Sequence, residues 1–162
     1  MGTRTTIKIM QDGEVVASLY RHWDGYPAET GADLLETALQ HDNGASLATA
    51  LLDKRYKQAD HESTPRKIYK IEATAGDIEH FYIAAYNWQE TVKFFHAARP
   101  DWETELNEWT QTANQYTASE FTELINKDRA GINARLKVLK EENPTLYKDS
   151  DPYPMITGDQ IK

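Results

Sequence analysis

The sequence predicts an α+β domain: one antiparallel sheet of about five strands with helices packed on it, in the order ββ-αα-βββ-αα. Three observations predict it. Two β-type runs flank an Asp12-Gly13 turn near the start. A second group of strand-like runs, rich in aromatics, lies between positions 67 and 96. Apolar residues at helical spacing fill the stretches between and after those groups.

The elements follow in order. Ile7 and Ile9 alternate with polar neighbours, and Val15 to Tyr20 resumes the pattern after Asp12-Gly13, so the chain opens with a hairpin. Thr30 is placed to cap a helix, with Asp33 at the third position and Leu35, Ala38 and Leu39 on one face. Asp42-Asn43-Gly44 stops it, and a second helix carries Leu47, Ala48, Leu51, Leu52 and Tyr56. Gln58 to Pro65 reads as a polar loop. Lys67 to Ala73, Ile78 to Tyr86 and Thr91 to His96 then form a meander, turning at Ala75-Gly76-Asp77 and Asn87-Trp88-Gln89. The middle run turns Phe81, Ile83 and Ala85 one way and His80, Tyr82 and Tyr86 the other, as in a central strand covered on both faces.

Beyond Pro100, Trp102, Leu106, Trp109, Ala113 and Tyr116 trace an amphipathic helical stripe, which puts both tryptophans in the core. Thr117-Ala118-Ser119-Glu120 is a capping box. It opens a last helix with Phe121, Leu124, Ile125, Ile132, Leu136 and Leu139 inward, interrupted at Gly131 and ended by Asn143-Pro144. Residues 1–146 therefore read as one domain. Residues 147–162, with Pro152, Pro154 and Gly158, read as an extended or flexible arm.

Composition narrows the function. With 162 residues, 27% charged and 40% apolar, the chain can bury a core. No apolar run reaches the roughly 18 to 20 residues that span a bilayer, and the first residues lack the regions of a signal peptide. The absence of cysteine removes disulfides, thiolate metal sites and thiol nucleophiles, and suits a reducing cytoplasm. A net charge of −8 argues against direct nucleic-acid binding. That charge is uneven: Asp101 to Asn126 holds six acids and no Lys or Arg, whereas Lys127 to Lys140 holds five bases and one acid. The acidic stretch offers Asp101, Glu105 and Glu108 as contacts for a basic partner.

The most unusual stretch is Tyr20-Arg21-His22-Trp23-Asp24-Gly25-Tyr26-Pro27. His22 and Asp24 fall on one side of an extended chain, and an imidazole with a carboxylate can share a proton or help hold a metal. Asp77-Ile78-Glu79-His80 supplies further groups. If the chain is an enzyme, the catalytic candidates are His22, Asp24, Glu79 and His80, and the weak metal candidates are His22, Asp24 and Asp77. The plainer reading is a rigid corner that offers shape. Gly25 takes a positive φ, Asp24 accepts backbone N–H groups, and Trp23 and Tyr26 cover the end of the core. In that reading Trp23, Asp24 and Tyr26 form a binding surface. The phosphate-loop, zincin and hydrolase motifs are not present, no cofactor is expected, and His41, His61 and His96 are scattered.

The Gly2-Thr3-Arg4 start, the hairpin, the Tyr20–Pro27 segment and the later Asp77-Ile78-Glu79-His80-Phe81-Tyr82 resemble a group of small, largely uncharacterised proteins encoded by phages and prophages. His80 stands where a tyrosine is more typical, and the resemblance stops near Pro100. It implies an accessory protein in the host cytoplasm that binds a host or phage protein, for instance inhibiting a defence or nucleic-acid-handling enzyme. The alternatives are a small metal-assisted hydrolase or nucleotide-ligand-binding protein using the His/Asp/Glu cluster, and a homo-oligomeric structural protein.

Overall fold

A computed structural model describes residues 2–56, 66–89 and 91–158. The polar loop expected over 58–65 and the last four residues of the arm lie outside them.

The hairpin forms as the Asp-Gly signal requires. Strands β1 (Thr5–Gln11) and β2 (Glu14–Arg21) pair antiparallel around Asp12 and Gly13. Both turn residues take positive φ, 51° and 84°, the geometry that matches the twist of the flanking strands. A wide π-type turn, Pro27–Gly31, leads into α1 (Ala32–Ala38), and α2 (Gly44–Asp53) follows. Thr30 does not cap the first helix. It is buried and donates its hydroxyl to the Asp24 carbonyl, because Pro27, preset for helical φ, starts the coil earlier. The Asn43 side chain caps α2 through Ser46 N–H.

The fold is α+β, with a six-stranded, mostly antiparallel sheet in the order β5-β2-β1-β6-β7-β8. Strands β6 (His80–Tyr86) and β7 (Val92–Ala98) form the expected hairpin. The first leg of the predicted meander does not form. Arg66–Lys67 (β4) pairs instead with Arg55–Tyr56 (β3) in a separate ribbon, and Lys70–Ile71 (β5) pairs with β2. Strand β6 lies parallel to β1, the one parallel contact among the described residues of the sheet. As expected, β6 is central and covered on both faces. Tyr82, Ala84 and Tyr86 pack with Ile7, Ile9, Leu19, α1 and α2, while Phe81 packs with Tyr20, Ile78, Ala97 and Trp109.

The helix expected from Trp102 to Tyr116 is largely replaced. Only α3 (Leu106–Thr110) is helical, and Asn114–Tyr116 forms edge strand β8 against β7. The competitor is local. Asp101 Oδ1 accepts bonds from Glu103 N–H, Thr104 N–H and the Thr104 hydroxyl, fixing a turn where the first helical turn would begin. The apolar stripe then splits. Trp109 is buried on one face of the sheet and Tyr116 packs on the other, while Trp102 is 62% exposed.

Helix α4 (Ala118–Glu142) begins with the full capping box, Thr117 and Glu120 bonding each other's backbone N–H. It runs through Gly131 without a break. Phe121 and Ile125 are fully buried, whereas Ile132, Leu136 and Leu139 are only partly covered.

Beyond α4, residues 151–157 form neither helix nor strand and run back along that helix. Asn133 exchanges two hydrogen bonds with the backbone of Tyr153, at 2.7 and 2.9 Å, and Asn126 does the same with Ile156, at 2.8 and 2.9 Å. Asn126 and Asn133 stand two helical turns apart, about 10.5 Å. Three residues of extended chain span about 10 Å. The helix thus presents two side-chain amides at the spacing an extended segment needs.

Candidate functional site

The Tyr20–Pro27 segment is the corner the sequence suggests, built differently in detail. Asp24, not Gly25, takes the positive φ, 59°. Gly25 is required for close approach: a Cβ there would lie 2.7 Å from the Thr3 carbonyl and 2.8 Å from Thr5 Cβ. Gly2 is confined in the same way by the His22 carbonyl and the Trp23 ring. The Gly2-Thr3-Arg4 start and the octapeptide therefore pack against each other. The Gly25 N–H bonds the Thr3 carbonyl at 2.8 Å, and the Tyr82 hydroxyl bonds the Gly25 carbonyl at 2.8 Å. The Asp24 carboxylate accepts from the Tyr26 hydroxyl, and Tyr26 itself meets Tyr153 of the arm. Tyr153 donates in turn to Glu29. Burial pushes both tyrosine hydroxyls upward, so they stay protonated donors.

The His/Asp/Glu candidates do not gather. The His22 ring bonds the Tyr20 hydroxyl at 3.0 Å, and Asp77 pairs with Arg4 at 3.3 Å. Strand β1 stands between β2, which ends at Arg21 just before His22, and β6, which carries His80. Tyr20, on the parity of His22, packs on one face, and Tyr82, on the parity of His80, packs on the other. Among the described residues no three His, Asp or Glu side chains come together as metal ligands.

One histidine pair does form, and the sequence hid it. The β6–β7 register sets His96 opposite Tyr82, diagonal to His80. His80 Nδ1 and His96 Nε2 lie 2.9 Å apart with the rings stacked. Burial lowers His80 to about 4 and His96 to about 3, so both are neutral near pH 7. Folding the chain at Asn87–Gln89 was the signal that would have found the pair.

A concavity of about 790 Å³ opens at the β5 edge beside the corner. It is lined by Tyr20, Arg21, His22, Trp23 and Asp24 from the corner, by Tyr56, Arg66, Lys67 and Ile68 from the β3–β4 ribbon, and by Lys70. Four of the chain's 18 Lys and Arg thus meet one of its 26 Asp and Glu. Arg21 acts as wall: it bonds the Trp23 carbonyl and the Tyr69 hydroxyl, beside Asp33. Lys70 pairs with Glu72 at 3.2 Å and lies over the Tyr20 ring. Trp23 is 51% exposed at the rim.

A second surface lies on the opposite charge. Trp102 stands over the Arg99 guanidinium at 4.4 Å, in the turn that Asp101 ties. Its hydrogen bonds, first from the Thr104 hydroxyl, lower the Asp101 carboxyl below its usual range. Glu103, Glu105 and Glu108 are exposed around it. Among the described residues no helix is long and apolar enough to cross a membrane. No family model matches this chain, and neither a curated protein nor a solved structure does.

Proposed function

We propose that this chain is a noncatalytic binding protein of the phage accessory kind, docking on a basic surface of a host or phage protein through the acidic ridge around Trp102. The observation that carries this reading is the ridge itself. A tryptophan 62% exposed is held by Arg99 and by a turn tied through three bonds to one carboxylate oxygen, with three further carboxylates beside it. A large aromatic already fixed in place loses little conformational freedom on binding, the usual character of an interface hot spot. The surrounding acids select a basic partner, such as a protein that handles nucleic acid. The corner at Trp23 to Tyr26 is a further contact. The hydrolase alternative has less support, since its side chains do not converge.

The test uses the full chain as bait in host lysate at low salt, followed by titration of the purified partner. Trp102→Ala is expected to weaken binding by about 2 kcal/mol or more, roughly thirtyfold. Neutralising Glu103, Glu105 and Glu108 to Gln, with Asp101 kept because it holds the turn, slows association and flattens the salt dependence. Capture that both variants leave unchanged overturns the ridge as the docking surface.

A further inference from the structure

We propose that the open face of the sheet is the interface of a two-fold dimer, in which the acidic ridge of each copy lies on Lys8 and Lys93 of the other. This goes beyond the docking reading: it assigns a second surface, the lysine-bearing rows, and names a second copy of this chain as its occupant.

The sheet register builds this surface. Ile7, Ile9, Tyr82, Ala84 and Phe94 point into the covered face, so their neighbours in β1, β6 and β7 point out of the other. One row there sets Lys8 beside Ile83 and Phe95, and the next sets Val15, Met10, Ala85 and Lys93 side by side. Phe95 and Met10 are only half-buried, and Trp88, at the rim beside Lys93, is 79% exposed. An apolar surface of this kind on a sheet face marks an interface. At the opposite end of the same face α3 covers the row of Phe81 and Ala97 through Trp109. The helix raises that end by roughly 10 Å and leaves the lysine rows as a recess of like depth. A two-fold axis lying across the strands sets the step of each copy into the recess of the other. Charge fits the same operation. Glu105 and Glu108 are exposed on or beside α3. Lys8 lies over the Phe81 ring at 5.8 Å, and among the described residues no carboxylate pairs with Lys8 or Lys93. Asp12, at the recess end, accepts from Gln11 Nε2, and Glu14 pairs with Gln11 on the parity of the covered face. Two rows on four strands cover about 260 Å², well short of the roughly 800 Å² per partner of a stable interface. The dimer therefore needs α3 and its ridge as well as the sheet.

Sedimentation equilibrium of the full chain, from about 1 µM to about 1 mM, reads the association. A monomer–dimer equilibrium is expected, weakening as salt rises. Trp88→Ala and Lys93→Glu, both at exposed side chains, are each expected to weaken it by about tenfold or more. The decisive experiment reverses charge at both ends. Lys8→Glu/Lys93→Glu sets acid against acid at both contacts, and Glu105→Lys/Glu108→Lys sets base against base, so each variant alone is expected to stay monomeric. Mixed in equal amounts they are expected to recover the dimer, because each contact then joins opposite charges again. Circular dichroism checks that every variant is folded, and the single Lys93→Glu variant carries the test if a double variant is not. Lys8→Glu/Lys93→Glu leaves the ridge whole, so its capture of a basic partner from lysate is expected to match the parent's, and the dimer and the docking reading fail or stand separately. A parent chain that stays monomeric to about 1 mM overturns the proposal. So does a dimer that the charge reversals leave unchanged, or a mixture of the two folded double variants that stays monomeric.

Discussion

On the face covered by α1, α2 and α4, Ile7, Ile9, Leu19, Tyr82, Phe94, Phe121 and Ile125 are all fully buried. Phe121 stacks on Phe94 at 4.7 Å with the rings nearly parallel, and meets Tyr82 and Tyr116 at its edges. Among the described residues, the opposite face carries the five residues of α3 and a smaller cluster around Tyr20, Phe81 and Trp109. It leaves Ile83 half-buried and Trp102 largely in water. One side of the sheet is a close-packed interior, while the other side and its β5 edge spend aromatic surface on solvent. The difference separates what holds the molecule together from what it can offer to others.

Three changes break or sharpen that contrast. The largest effect belongs to Phe121→Ala, which removes a ring from the covered face and leaves a cavity against Phe94. We expect a loss of about 3–5 kcal/mol and a fall in Tm of about 10 °C, read by urea and thermal unfolding. Next comes acid. Below pH 6.5 the unfolded chain binds protons that neutral, buried His80 and His96 refuse until about 4 and about 3. Stability is therefore full above pH 6.5 and declines steadily as pH falls through that window, by an amount on the order of 3 to 5 kcal/mol for each ring. Urea midpoints at pH 7, 5.5 and 4.5 read it, with histidine ring resonances assigning it to this pair. A flat profile would mean the pair does not exist as described. The smallest effect is on the open side: Trp102→Ala and Lys67→Glu/Lys70→Glu should each change stability by no more than about 0.5 kcal/mol. A loss of several kcal/mol from either would erase the distinction between the two sides.

Sequence signals were strongest where a single local bond decides the outcome. Asp12-Gly13 announces its turn, Thr117 and Glu120 announce the start of α4, and the alternation in 80–86 announces a strand packed on both sides. They failed where another interaction competes with the spacing of apolar residues. The tryptophan stripe from 102 to 116 has a helix's spacing, yet the Asp101 carboxylate and pairing with β7 win, sending Trp109 and Tyr116 to opposite faces. The concavity at the β5 edge was illegible for a related reason. Its cations sit at 21, 66, 67 and 70, and a whole-chain charge of −8 conceals a local positive cluster. The octapeptide was recognisable as a corner, but its close contact with Gly2 and Thr3 depends on the hairpin's register and left no mark in composition.

The paired amides of Asn126 and Asn133 have a consequence for the order in which the molecule is completed. Through them Tyr153 is delivered to Tyr26 and Glu29, so a residue translated 127 positions after Tyr26 fastens the corner. While the chain is still emerging from the ribosome, the β1–β2 hairpin waits both for β6, its parallel neighbour, and for this later tether. A nascent chain stalled before residue 153 therefore carries the corner without its closing bond.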